Sequence, residues 1–411
     1  MQKILIITQN KFHKYTGGGV LLSNLFHKVP KENIYILHRD GLKVNEEPLN
    51  SKYIAWHNLR PNLLSFFTIL LIYIKNLIIK RKLLSLDVLK KILLETSYFE
   101  VSNKTFNSIK KFNPTIIYAW ASDSFWTESI KRISARLDLP YVIHFMDNQI
   151  GLQKTNEIDK VIQKRFINNM DALVMNAKSI FVISELMSKE YSQRWNKECH
   201  VYRGSIDSRD WPKEDNKKIS DLKKITYVGS VEKYQVNSLL DIIKSIEMLN
   251  KSDENIELNL YLNHQNKKNL NSLINSDFVK IHQHPEFKML RKILINSDIL
   301  ISFYSFNKTA IDYYRLSFPT KIVPFMLSDV PILMYGPKNI NPIEYAKKGN
   351  WAEIVDEQSI EQLNISIKYI LNNEDYRRKI SQKARHVAEN EHDLEKNSER
   401  FLKSLEQAIV N

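Results

Sequence analysis

Three groups of residues in this 411-residue chain have types and spacings suited to chemistry. In SFPTK, Ser317, Thr320 and Lys321 precede an apolar stripe of Ile322, Phe325 and Met326. Proline gives up no hydrogen bond in a first helical turn, so the spacing predicts a helix beginning near Pro319, capped by Ser317. The free amides of that turn, its positive dipole end and the Lys321 ammonium together make a phosphate receiver. An ordinary helix-to-strand step, here into the apolar run PILMY ending at Gly336-Pro337, has the same pattern. His144 and Asp147 form the second group, just beyond the apolar run PYVIHF. The imidazole can polarise a hydroxyl and the carboxylate can orient it or accept a proton; a hydrogen-bonded structural histidine is the alternative. The third group is Gly17-Gly18-Gly19, after KILIIT and before VLLSNLF. Glycines let backbone amides approach a phosphate or diphosphate-linked sugar closely, or simply form a flexible turn.

The elements needed to position these groups are those of an α/β protein. KILIIT, IYIL, TIIYAW, PYVIHF, FVIS and HVYRGS read as strands of a first sheet. Ser184 is placed to cap the helix ELMSKEYSQRW, in which Glu190 and Arg194 are spaced for an ion pair. ITYVGS opens a second series, followed by IELNLYL, VKIHQH, SDILISFY and PILMY with helices between. In that series Tyr304, Ser305 and Asp312 come just before SFPTK, so they are expected to gather at one edge of the second sheet. Two Rossmann-like domains with parallel sheets facing a central cleft are therefore expected. Their expected bounds are residues 1–205 and 223–388, joined by the polar linker 206–222. A terminal helix, 389–411, is expected to pack back on the first domain.

Length and composition agree with two folded domains: the chain is 43% hydrophobic and 26% charged, and repeats are not evident. The single Cys199 excludes an intrachain disulfide, and the opening strand lacks signal-peptide character, which points to the cytoplasm. The net charge is +14, unevenly distributed: residues 1–200 hold 29 Lys and Arg against 17 Asp and Glu, the remainder 31 against 29. A basic first half suits phosphorylated ligands or an anionic bilayer, and no compact nucleic-acid motif accompanies it. Within it Leu63 to Ile79 is almost wholly apolar but too short and Lys-interrupted for a span. It reads either as a helix lying on an anionic membrane surface or as one buried in the first domain. No metal-ligand spacing is present.

The order of these segments resembles the retaining glycosyltransferases of the GT-B fold, in particular the family 4 enzymes that build bacterial surface polysaccharides. The resemblance rests on the early GGG, the strand ending HFMDN, FVISELM, the domain-opening YVGS, and SFPTK through DVPILMYGP. It implies sugar transfer from a nucleotide-sugar donor, held mainly by the second domain, to a lipid-linked or oligosaccharide acceptor held mainly by the first. No cofactor is implied. Catalysis would come from cations and amides stabilising the leaving diphosphate, with Lys321, Lys233 and the amides near Thr320, Gly18 and Gly19 as candidates. His144 matches the family's histidine beside the donor sugar. Leu316 and Pro324 stand where members often carry two glutamates, Asp312 being a partial substitute. Ser230 replaces an arginine, with Lys233 as a stand-in, and Asp329 replaces a glycine. These departures leave open a divergent but active transferase, a transferase using an unusual donor such as a nucleotide monophosphate sugar, and an inactive subunit acting as a membrane-surface scaffold in a polysaccharide assembly complex; a nucleotide-sugar epimerase on the same architecture is a further reading.

Overall fold

Short runs of β-branched and aromatic residues, alternating with helices, assemble in the computed structural model into two parallel sheets. The structure describes residues 2–8, 17–38, 53–55, 59–61, 99–120, 124–151, 160–213, 220–271, 274 and 276–410; the apolar segment 63–79 lies outside them. The chain divides into two units. One holds Met1–Lys14, Gly18–Tyr202 and Ser398–Asn411, the other Tyr15–Gly17 and Arg203–Asn397. The polar stretch 206–222 thus belongs to the second unit, and beyond Gly18 the chain passes between units at Tyr202/Arg203 and Asn397/Ser398. Among the described residues no helix is long and apolar enough to cross a membrane.

The first unit contains β1 (Ile4–Thr8), β2 (Ile34–His38), β3 (Tyr53–Ala55), β4 (Leu59–Pro61), β5 (Phe99–Val101), β6 (Ile116–Ala119), β7 (Tyr141–Phe145), β8 (Ser179–Val182) and β9 (Cys199–Val201). Seven of these make a sheet of order β3-β2-β1-β6-β7-β8-β9, and β4 pairs antiparallel with β5. Ile4 lies opposite both Ile34 and Ile116, so β1 is central, and all five of its residues are buried. Burial on both faces is why it reads as an unbroken apolar run. The strand order reverses direction between β1 and β6, the position at which open sheets bind ligands.

Residues Ser398–Val410 of the last helix pack on this unit. Phe401 meets Phe26, Tyr118, Phe181 and Tyr202 edge-on at 5.0, 5.7, 5.6 and 5.3 Å, and the Tyr202 hydroxyl lies 2.6 Å from Ser404 Oγ. Ser184 caps the helix Glu185–Trp195 as its sequence suggests, accepting from the Met187 amide at 3.1 Å. Arg194 instead makes a forked pair with Asp171 at 2.9 and 3.0 Å, a geometry a glutamate one turn away does not match.

The second unit contains β10 (Lys223–Val228), β11 (Ile256–Leu262), β12 (Val279–Gln283), β13 (Ile299–Phe303), β14 (Ile332–Tyr335) and β15 (Glu353–Val355), in the order β12-β11-β10-β13-β14-β15. Here the reversal falls between β10 and β13. Leu239, Ile242 and Ile246, on one face of the helix Val236–Asn250, pack on Ile225, Leu258, Leu260 and Ile301 of the sheet.

Asp329 replaces the resembling family's glycine with a physical reason. Its φ is +59°, a left-handed backbone that glycine adopts freely and aspartate tolerates. Its carboxylate then takes both Nε and Nη2 of the buried Arg385 at 2.6 Å, an interaction glycine does not provide.

Candidate functional site

In the second unit the site grows from the end of β10. The strand delivers Tyr227 to the core, then Gly229 turns the chain at φ +139°, a conformation side chains rarely adopt. A Cβ at Gly229 would lie 3.6 Å from Lys321 Cδ and 3.7 Å from Nζ, so the loop backbone runs directly beside the lysine. Ser230 follows, exposed, its Oγ accepting from Asn263 Nδ2 at 3.0 Å while its N–H makes no hydrogen bond among the described residues. Asn266 holds Val231 at both amide and carbonyl, 2.9 Å each. Gln235 accepts from the Glu232 amide at 3.0 Å and donates to the Phe303 carbonyl at 2.8 Å. The loop is therefore fixed from several directions before any ligand arrives.

Lys321 extends over this loop. Its Nζ lies 3.9 Å from the centre of the Tyr227 ring, and among the described residues neither a carboxylate nor a hydrogen-bond acceptor partners it. Its residue surface is only partly covered, yet the protein packed around it desolvates the ammonium and pushes it down to about 7. A cation held without a counter-ion beside a glycine turn is chemically able to receive an anion. Lys233, exposed in the turn Lys233–Gln235, stands four residues beyond Gly229 on the same loop.

The helix expected from Pro319 is shorter and later. It spans Ile322–Met326, with Lys321 at its cap position and no side-chain cap, so Ser317 does not cap it. Pro324, rather than Pro319, occupies the first turn, where its missing N–H costs nothing. Lys321 thus acts as a side-chain cation, not as an adjunct to a long helix. Thr320 is half-buried in the preceding turn. Ser317 lies earlier, its amide bonded to the Tyr314 carbonyl and its carbonyl to Asn341.

The residues after β13 serve packing. Tyr304 is buried, its hydroxyl accepting from Ser302 Oγ at 3.1 Å and its carbonyl from Ser238 Oγ at 2.8 Å. Ser305 is buried too, its Oγ accepting from the Asn307 amide and its carbonyl from the Tyr314 hydroxyl. Both side chains, expected at the donor site, have internal hydrogen-bond partners at the strand end. Asp312 is exposed, 3.9 Å from Arg315, and Leu316, at the expected glutamate position, is fully buried.

In the first unit Gly18 and Gly19 do not form an open loop. They belong to the first turn of the helix Gly17–Leu25. A Cβ at Gly18 would strike Trp120 Cη2 at 2.4 Å and Cζ3 at 2.9 Å, so this glycine exists to let the helix approach the indole that follows β6. Gly19 is buried.

His144 and Asp147 part company. His144 is 0% exposed, its Nδ1 2.6 Å from the Tyr118 hydroxyl and its ring edge-on to Tyr118 and Phe181. Burial pushes it down to about 3, so it is neutral at pH 7, and Nε2 has no hydrogen-bond partner. Asp147 does not orient it; Tyr118 does. The pleat turns His144 inward into the aromatic cluster, which corrects the expectation that both residues face a cleft. Asp147 is exposed, although surrounding protein raises its carboxyl to about 6. Among the described residues no group of three or more His, Cys, Asp or Glu is placed to hold a metal ion.

Tyr227 and Trp120 do not stand out in the sequence. The signal there is an aromatic one or two positions from a strand-end turn, which ordinary core residues share.

Comparison with solved structures places the whole chain in one architectural group. A glycosyltransferase from Rickettsia africae aligns over 100% of this chain and 99% of its own, with a TM-score of 0.69 at 13% identity. HepE from Anabaena, solved with UDP-glucose, aligns over 99% and 100% with a TM-score of 0.66 at 12% identity. WaaG, a glycosyltransferase involved in lipopolysaccharide biosynthesis, aligns over 97% and 98% with a TM-score of 0.59 at 12% identity. The chain has the GT-B fold. No family model matches the sequence, and a search of curated proteins finds no match. In this GT-B chain Lys321 lies beside the end of β10, one of the two strands between which the second sheet reverses order.

Proposed function

We propose that the protein is a glycosyltransferase that takes a sugar from a nucleotide-sugar donor and adds it to a growing bacterial surface glycan, on a lipid-linked or oligosaccharide acceptor. The observation that carries the reading is the Lys321 ammonium, without a counter-ion, beside Gly229 and the free Ser230 amide. A nucleotide-sugar diphosphate gains negative charge on its leaving oxygen as the glycosidic bond breaks. A cation and an amide already fixed there lower that barrier without reorganising. The second unit is accordingly the donor unit, with Ser230, Lys233, Thr320 and Lys321 as its phosphate contacts. The first unit takes the acceptor, and exposed Asp147, with its raised carboxyl, is its candidate base. The GT-B fold and the UDP-glucose bound by HepE support the donor class, and the involvement of WaaG in lipopolysaccharide biosynthesis supports the acceptor class. The basic first half suits work at an anionic membrane face of the cytoplasm.

The test is transfer itself. Purified protein is incubated with a panel of nucleotide sugars and lipid-linked oligosaccharides, and products are read by mass. An acceptor heavier by one sugar residue is expected. Donor turnover without acceptor would point to an epimerase, and donor binding without turnover to a scaffold subunit.

A further inference from the structure

We infer that Tyr227 is a positioning residue of the donor site, one side chain that sets both the Lys321 ammonium and the loop carrying the free Ser230 amide. The assignment rests on the donor reading above. Tyr227 is fully buried at the end of β10, packed against Phe303 at 4.5 Å between ring centroids. Its ring seats Lys321 Nζ at 3.9 Å, a distance at which the ring quadrupole attracts the cation. Its hydroxyl donates to the Ser230 carbonyl at 2.5 Å, closing the turn that Gly229 opens. Burial holds the phenol far above its usual range, so it remains a donor at every working pH.

A role in packing alone needs only the ring. Phenylalanine would fill the same volume between Phe303 and the helix side of the core. The hydroxyl is directed to a loop carbonyl instead, and that carbonyl belongs to the residue whose amide is left free. The remaining anchors, Asn263, Asn266, Gln235 and the Tyr261 carbonyl, hold Ser230 Oγ, Val231, Glu232 and the Gly229 amide. None of them touches the Ser230 backbone. The Ser230 carbonyl and the Val231 amide share one peptide plane, which Tyr227 holds at its carbonyl edge and Asn266 at its amide edge; of the two, only Tyr227 also touches the lysine. It does not itself reach the ligand.

The two contacts separate by substitution. Tyr227→Phe keeps the ring and removes the Ser230 bond; Tyr227→Leu removes both. The probe is inorganic pyrophosphate, titrated into the full chain by calorimetry, since it carries the diphosphate without committing to a base or sugar. Loss of one hydrogen bond predicts about 3- to 10-fold weaker binding in Tyr227→Phe. Added loss of the cation–π contact predicts at least about 10-fold in Tyr227→Leu. Protein labelled with 13C at lysine Cε supplies a second readout that general destabilisation does not move. The Lys321 resonance, assigned with Lys321→Arg, is displaced by the ring in the wild type and in Tyr227→Phe and returns to the free-lysine position in Tyr227→Leu. Wild-type binding that persists unchanged in both folded variants overturns the assignment and leaves the donor reading intact. No pyrophosphate binding by the wild type overturns the donor reading and the assignment with it. Should Tyr227→Leu fail to fold, Tyr227→Phe, with its core volume kept, decides the matter alone.

Discussion

Donor binding should draw a proton into Lys321. Burial holds this side chain at about 7. At pH 8 only about one-tenth of it is charged, so a ligand that needs the ammonium binds about tenfold more weakly than at pH 6. Binding a diphosphate restores the charge, and the complex takes up close to one proton at pH 8. A nucleotide sugar is a suitable ligand because both its phosphates are fully ionised across this range. Calorimetry in two buffers of different ionisation enthalpy measures the uptake directly. Lys321→Arg is the control: arginine stays charged, so its affinity should be flat between pH 6 and 8 with no uptake. Asp147, also raised, remains in that control, which isolates the lysine. Equal wild-type affinity at pH 6 and 8 with no proton uptake would show that the Lys321 ammonium does not bind the diphosphate.

Four further outcomes are expected. Lys321→Ala cuts turnover at least ~10-fold if the ammonium stabilises the leaving diphosphate, read as kcat on a folded variant. Lys321→Met raises Tm relative to wild type more at pH 6 than at pH 9, because the depressed lysine makes the native state bind fewer protons than the unfolded chain between about 7 and the usual lysine value, so stability rises with pH across that window. Gly18→Ala loses about 1–3 kcal/mol through its collision with Trp120, and Trp120→Phe restores part of it in denaturant melts. His144 and His392, both held near 3, make the fold lose stability as pH falls from the usual histidine value through about 3; replacing both should flatten that acid limb in urea midpoints.

What is legible in the sequence follows from periodicity. β1, β7, β10, β13 and β14 lie where unbroken apolar runs predict them, because strands covered on both faces cannot alternate. β15 is not legible, since Glu353–Val355 is three residues long and partly exposed. Lys321 is legible as a cation next to a turn, but the helix behind it is not: two prolines, Pro319 and Pro324, both suit a first turn, and the helix takes the second. His144 misleads because its pleat side is set by Tyr118 and Phe181, residues 26 and 37 positions away, and a histidine at a strand end reads alike inward or outward. Tyr227 is hidden for a similar reason. Its hydroxyl bond is local, but the cation it seats comes from Lys321, 94 positions on.

Donor diphosphate binding at the corner of Gly229, Ser230 and Lys321 is read by melting the wild type and Lys321→Met against a panel of nucleotide sugars. At least one donor should raise the wild-type Tm in proportion to its occupancy and leave Lys321→Met unmoved. An equal rise in both folded proteins would contradict the account.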